Sequence, residues 1–434
     1  MEFPKVLIIT RSALNDSDGR SSTLTNLFDG YDRDKVASIF IETKQPKTKC
    51  YSRYFQISEY SLIRKIFHPS TQTGFDLRVD DGAVVNIDYS RKEEGIMSWV
   101  RRHRSIIFSW MREFLWGLNG WQTKELRDFI LDFSPDVIWM DGSPLILMNR
   151  LHRYVKDVCK KPNVYFVMDD IYSYPKTLNP LTLLYYRRLR KLVNHNITSS
   201  DKVYVASPKM KQEYDMVFSI NSSFLSKGAD FSKIKPIGTN HHEGIKLVYL
   251  GQAYCGRIYT LIDLVNKLKE KNDNGAKFFL TIYSNDYIKS NLKKKVQIEG
   301  VSTVRDAVPY TEIPRVMQEN DVLLFVETLK DKFKNLARLS FSTKIVDYLV
   351  SGKCIMAIGH KDIAPICYFK DNNIAFVADN ENEINKNLEK LLDEKNRLIM
   401  AKNSFDFARR NHEIRTIHEE LHNTFINMTN NIAL

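Results

Sequence analysis

A chain of 434 residues, 43% of them hydrophobic and with few glycines or prolines, is longer than one core usually organises and too apolar for a disordered protein, so two folded domains are expected. The net charge of +12 asks for an anionic partner, for which nucleic acid, acidic lipid and a nucleotide diphosphate all qualify. The five cysteines, Cys50, Cys159, Cys255, Cys354 and Cys367, are scattered, odd in number and without C-x-x-C spacing, which argues against a disulfide framework or a zinc site.

The first predicted strand is KVLIIT, 5–10. The N-terminus MEFPKVLIIT has neither a basic leader region nor a long apolar core, and no later run reaches the ~20 apolar residues of a membrane span, so a cytoplasmic protein is expected. VASIFI (36–41), DVIWM (136–140), NVYFVM (163–168) and KVYVAS (202–207) follow, with helical stretches between them such as Thr123 to Phe133. A second series comprises KLVYLG (246–251), KFFLTIYS (277–284), DVLLFV (321–326), CIMAI (354–358) and IAFVA (374–378), and the chain from Glu381 onward reads as mostly helical. Strands alternating with helices predict parallel sheets, and two such series predict two Rossmann-like units. Pro236, Gly238 and Gly244 interrupt the pattern between them and place the junction near residue 240.

Several segments could carry chemistry. The first strand runs into TRSALNDSDGRSSTLTNLF, a polar loop with the single glycine Gly19 next to Arg20. It serves either as a substrate-contacting loop or as a plain connection capped by Ser21 or Ser22, and G-x-G-x-x-G is absent. Asp141 and the pair Asp169–Asp170 end predicted strands, where open α/β sheets face their ligands; each could be a base or a loop-holding carboxylate. LSFSTKIVDYLVSGKCIMAIG (339–359) reads as a helix opening at Ser342–Thr343 and closing before Gly352. Lys344 opposes the helix dipole there, which suits a bound diphosphate; otherwise this is a capped core helix with a solvated lysine. Residues 97–121 interleave Arg101, Arg102, Arg104 and Arg112 with Trp99, Ile107, Trp110, Met111, Phe114 and Leu118, and YYRRLRKL (185–192) is a second basic cluster. Such segments either lie on anionic bilayers or pack on a sheet with snorkelling arginines.

FSTKIVDYLVSGKCIMA resembles the P-s-K-i-f-E-Y-l-a-a-G-k-P-v-l-a segment of bacterial GT-B glycosyltransferases of family four. SPDVIWMDG (134–142), SKGADFSKIKP (226–236), LVYLGQAYCGRIYTLIDLVNKL (247–268) and VPYTEIPRVMQENDVLLFV (308–326) are similar to further elements of that family in the same order. The resemblance implies two Rossmann-like domains with parallel sheets facing across a cleft: an acceptor domain over 1–240, a donor domain over 241–410, and a helix over 411–434 returning toward the first domain. It implies that Gly251, Arg257, Ser342, Thr343, Lys344 and Asp347 hold a nucleoside-diphosphate sugar. Lys344 and Arg257 would neutralise the diphosphate, Asp347 would meet the ribose or donor sugar, and no metal or other cofactor would be needed. The chain departs from the family where Leu339 stands at the first position of E-x7-E, where Lys227 replaces an asparagine, and where Asp141 and Ser143 replace a frequent histidine. These departures leave the stereochemical outcome open.

The expected activity is metal-independent, hexosyltransferase-like transfer of a sugar to a hydroxyl of a glycan or polyprenyl-linked acceptor in bacterial surface polysaccharide assembly. The expected location is the inner face of the plasma membrane, with the catalytic candidates Asp170, Asp141, Lys344 and Arg257. The rivals are a sugar-nucleotide epimerase of the same fold and a noncatalytic basic protein binding glycan or nucleic acid. No recognised nucleic-acid module is present.

Overall fold

The computed structural model describes residues 3–14, 19–43, 46, 48, 50–80, 83–85, 105–173, 177–234 and 243–430. The chain forms two compact units. One comprises Met1–Ala206, Lys211–Leu225 and His418–Leu434, and the other Ser207–Met210 and Ser226–Ile417.

The first unit is built on strands β1 (Val6–Ile9), β2 (Val36–Phe40), β3 (Arg53–Ile57), β4 (Gly74–Asp80), β5 (Ala83–Val85), β6 (Val137–Asp141), β7 (Asn163–Val167), β8 (Lys202–Val205) and β9 (Ser223–Phe224). They lie in the order β5-β4-β3-β2-β1-β6-β7-β8-β9. Pairing is parallel from β3 through β9, while β4 and β5 extend one edge antiparallel. Its helices are α1 (Gly19–Leu27), α2 (Glu59–Phe67), α3 (Ile106–Gly117), α4 (Lys124–Phe133), α5 (Ile146–Cys159), α6 (Pro180–Thr198) and α7 (Pro208–Phe218). The β-branched run VLII of β1 is wholly buried, as expected of a central strand covered on both faces. Thr123 caps α4 by accepting the N–H of Leu126. Because α1 already begins at Gly19, Ser21 and Ser22 lie inside it and do not cap it. Phe425 near the C-terminus packs against Phe28 and Trp139, and the His418 ring meets the Asn26 carbonyl at 2.8 Å. These contacts tie the segment holding His418 and Phe425 into this unit.

The second unit contains β10 (Ile245–Leu250), β11 (Phe278–Tyr283), β12 (Ser302–Arg305), β13 (Val322–Val326), β14 (Cys354–Ile358) and β15 (Phe376–Ala378), in the order β12-β11-β10-β13-β14-β15 and all parallel. Numbered from β10 this is the order 3-2-1-4-5-6 of a doubly wound dinucleotide-binding sheet. Its helices are α8 (Arg257–Asp273), α9 (Ser290–Val296), α10 (Ile313–Gln318), α11 (Asp331–Lys334), α12 (Lys344–Val350), α13 (Ala364–Asp371), α14 (Glu381–Leu392) and α15 (Glu394–Asn411); α16 (Ile414–Asn430) follows. Leu247, Tyr249, Leu324 and Met356 from the strands share one core with Leu261, Leu264 and Leu268 of α8. The unit takes in residues from Ser226, ahead of the expected junction near residue 240. Ala229 already pairs with the chain after α15, its N–H donating to His412 O and its carbonyl accepting from Ile414 N.

Candidate active site

In a 3-2-1-4-5-6 sheet the helices after the first and fourth strands leave on opposite faces, which opens a crevice at the carboxyl ends of those strands. Here those strands are β10 and β13. After β10 the chain turns through Gly251–Gly256, a loop held by Asp286, whose Oδ2 accepts the N–H groups of Ala253 (2.5 Å) and Tyr254 (3.1 Å). Cys255 and Gly256 both take positive φ, 55° and 84°. At Gly256 a Cβ would stand 2.4 Å from the Phe333 ring, so only glycine fits.

That turn delivers Arg257 as the first residue of α8. Its guanidinium forks onto Glu327, with Nε donating to Oε2 at 2.9 Å and Nη2 to Oε1 at 2.7 Å. Glu327 is the residue just past β13, buried, with its N–H donating to Ile358 O at 2.7 Å. The pair therefore bridges the switch point. Burial opposes the charge on Arg257, but Glu327 outweighs burial and raises the guanidinium pKa. Burial raises that of Glu327 in turn; the two-donor fork is a carboxylate-binding geometry, and we take the pair as ionised.

Lys344 opens α12 and reaches back to β10, its Nζ donating to Leu250 O at 2.6 Å. A Cβ on Gly251 would stand 2.9 Å from that Nζ and 2.8 Å from Tyr249 Oη, so the glycine makes room for Lys344. Burial, and then the nearby charge of Arg257, lower the Lys344 pKa to about 8; Glu327, Asp347 and Asp286 pull the other way. The helix is short, seven residues, and Thr343 caps it without a side-chain hydrogen bond. Ser342 tightens its start: the carbonyl accepts Ile345 N and the Oγ accepts Lys344 N at 3.4 Å.

Asp347 lies one turn further along and accepts Lys227 Nζ at 2.5 Å. Lys227 is buried and rides on a segment fastened through His412. The His412 Nδ1 meets Ser226 Oγ at 3.0 Å and its Nε2 meets Tyr368 Oη at 2.7 Å. Burial lowers the His412 pKa to about 4, so the ring is neutral at physiological pH and holds the two hydroxyls with one donor and one acceptor nitrogen. The structure thus gathers three cations (Lys227, Arg257, Lys344) with three carboxylates (Asp286, Glu327, Asp347). Sequence reasoning missed Glu327, Asp286 and His412. Glu327 carried a signal, since it is a carboxylate just past a buried strand, the pattern that singled out Asp169 and Asp170.

The other candidates lie in the first unit. Asp141 is the buried last residue of β6, beside β1 at that sheet's own reversal of order. Neighbouring Ser143 is also buried, its carbonyl accepting Asn149 Nδ2 at 3.0 Å. Asp170 Oδ1 accepts the N–H groups of Tyr172 and Ser173, both at 3.1 Å, and faces Tyr214 Oη at 3.4 Å. Gly19 and Arg20 open α1, while the Arg20 side chain and residues 15–18 lie outside the described residues. So do Trp99, Arg101, Arg102 and Arg104. Arg112 is not a basic flank as expected: it turns inward and forks onto the buried Glu59, with Nε 2.6 Å from Oε1 and Nη2 2.8 Å from Oε2. Among the described residues no group of three or more His, Cys, Asp and Glu is placed to hold a metal, and no helix is long and apolar enough to cross a membrane.

No family model matches the sequence, and no curated protein matches it. Solved structures match over the whole chain. HepE of Anabaena, solved with UDP and glucose, aligns at a TM-score of 0.61 and 11% identity over 98% of this chain and 100% of its own. A glycosyltransferase from Rickettsia africae aligns at 0.60 and 8% identity over 99% of both chains. An α,α-trehalose 6-phosphate synthase from Burkholderia multivorans aligns at 0.57 and 10% identity over 100% of this chain and 99% of its own. At such identities the likeness establishes the fold: an α/β fold with two parallel-sheet domains, as in GT-B glycosyltransferases.

Proposed function

We propose that the chain transfers a sugar from a nucleoside-diphosphate sugar to a hydroxyl of a glycan or lipid-linked glycan acceptor in bacterial surface polysaccharide assembly, as a peripheral protein at the inner face of the plasma membrane. The observation that carries the chemistry is the convergence of Lys344 and Arg257 on the switch point between β10 and β13. In the transition state the bond from the anomeric carbon to the diphosphate oxygen breaks, the electron pair leaves on the diphosphate, and the acceptor oxygen bonds to that carbon. Fixed positive groups at the leaving oxygens stabilise the charge that develops there. The Glu327 fork uses the Nε–Nη2 edge of Arg257, so Nη1 retains its own N–H donors for a phosphate oxygen. Lys344, held near Gly251, supplies the second charge. Asp347, steadied by Lys227, is the residue assigned to ribose or donor-sugar hydroxyls, and Ser342 and Thr343 border the same helix start.

On the acceptor side Asp141 is the base this reading prefers. Asp170 shapes its loop, and Gly19 and Arg20 border the acceptor. With UDP-sugars, GDP-sugars and free nucleotides in turn, a thermal-shift panel should find a stabilising donor, and that donor labelled in the sugar should pass its label to an extracted lipid-linked glycan fraction. Interconversion of free nucleotide sugars without transfer would instead identify an epimerase. Salt-sensitive binding of DNA or RNA with no response to any nucleotide sugar would identify a noncatalytic basic protein.

A further inference from the structure

Helix α3 buries Glu113 together with Trp116 and leaves much of its apolar surface outside. On its inward side Arg112 forks onto Glu59, Trp116 Nε1 donates to Glu59 Oε1 at 2.8 Å, and Glu113 is buried 3.7 Å from Arg150. On its outward side Ile107, Met111, Phe114 and Leu118 are 61%, 60%, 69% and 52% exposed. Spaced by four, three and four residues, they form one apolar stripe along three turns. A helix that serves only its own core does the reverse, burying the stripe and wetting the charges. Trp110 joins this helix to the start of α6, its Nε1 donating to Leu181 O at 3.1 Å and its ring meeting Tyr185 edge-on at 5.8 Å. There Leu181 and Leu184 are also exposed, which widens the apolar face across two helices.

Charge identifies the occupant. Among the described residues of α3 and α6 the only carboxylate is the buried Glu113. The exposed charges that follow the leucines along α6 are Arg187, Arg188 and Lys191. A partner protein's apolar patch would not require a border of one sign, whereas anionic headgroups over an acyl layer match an apolar stripe edged by arginines.

We propose that the outward face of α3, with the first turns of α6, is an interfacial docking surface for an anionic lipid bilayer. Phe114 and Met111 enter the acyl boundary and Arg187 and Arg188 contact the headgroups. This deepens the peripheral placement proposed above and does not depend on the transfer chemistry.

The test is co-sedimentation of the full chain with vesicles of phosphatidylglycerol and phosphatidylcholine, or of phosphatidylcholine alone, at low and high salt. Wild type should pellet with the anionic vesicles at low salt and be released by salt. Met111→Ser with Phe114→Ser should weaken the partition coefficient by about tenfold or more on either vesicle, and Arg187→Glu with Arg188→Glu by a similar factor on the anionic ones alone. Because all four side chains are exposed, the variants should keep the wild-type melting temperature and donor-induced thermal shift. Wild type that stays in the supernatant at low salt overturns the proposal, as does a dimeric mass that Met111→Ser with Phe114→Ser returns to monomer. A protein that ignores vesicles yet still binds and transfers sugar removes this surface and leaves the transferase reading standing.

Discussion

The Arg257–Glu327 pair offers a quantitative test, because its two halves should fail differently alone and together. Both side chains are largely buried, 18% and 6% exposed. Arg257→Met leaves a buried carboxylate without its guanidinium, and Glu327→Leu leaves a buried guanidinium without its acceptor. Removing one partner of such a pair typically costs about 3–5 kcal/mol, whereas replacing both by apolar residues is often close to neutral. For a unit of this size, with roughly 2–4 °C of melting temperature per kcal/mol, each single variant should melt about 6–20 °C lower. The double variant should recover most of that loss. Calorimetry of the second unit's transition reads the cycle directly. If the pair is held ionised for a ligand, the recovered double variant should still bind no nucleotide sugar. Single variants melting within about 2 °C of wild type would refute the burial argument, and a double variant that binds donor normally would make the pair a structural relic of the crevice.

Lys344 carries a pH signature. Its pKa of about 8, below a lysine's ordinary 10.5, means that between those values the unfolded chain holds a proton the folded one lacks, so this group's contribution to stability rises with pH across that window. A diphosphate would restore the proton, so titrating donor at pH 8.5 in two buffers of different ionisation enthalpy should give unequal heats that become equal in Lys344→Met; equal heats in wild type would contradict the assignment. In turnover, Lys344→Ala should lose about a hundred- to a thousandfold, while Lys395→Ala, an exposed lysine of α15, should be near normal. His412→Ala removes the ring between Ser226 and Tyr368 and should cost about 1–3 kcal/mol through the buried polar groups it orphans; it should also raise the KM for donor through the loosened Lys227. An unchanged KM in a folded variant would detach His412 from the site.

All ten strands expected from sequence are present; most are β-branched or aromatic runs buried on both faces, such as VLII of β1 and VLLFV of β13, while β11 and β15 are only partly buried. The missed strands lie at or toward the sheet edges. In STVR of β12 only Ser302 is buried, and SF of β9 is two residues at an edge. RYFQI of β3 begins with an arginine and ends beside the antiparallel edge, so its run is not purely apolar. Edge strands are half solvated and need less hydrophobicity to hold their place, which is also why they leave less trace in a sequence.

The same asymmetry governs the site. Lys344 was legible because a lysine in a first helical turn runs against the dipole, a local conflict visible in seven residues of sequence. Glu327 was hidden because its partner is 70 residues away, and a carboxylate after a strand looks the same whether it caps a loop or anchors an arginine. The two readings of Arg257, as a phosphate ligand and as the partner of Glu327, need not compete. A guanidinium fixed on one edge by a buried carboxylate has lost its rotamer freedom before the ligand arrives, so little ordering cost remains at binding. Its net charge is offset by Glu327, however, which leaves Lys344 as the cation whose charge depends most on whether a phosphate is present. That argument predicts an order of effects. In a stability-matched background, losing Arg257 should weaken donor binding by misplacing the diphosphate, and losing Lys344 should abolish its pH dependence; the reverse pattern would mean that Lys344 does the positioning and Arg257 carries the titrating charge.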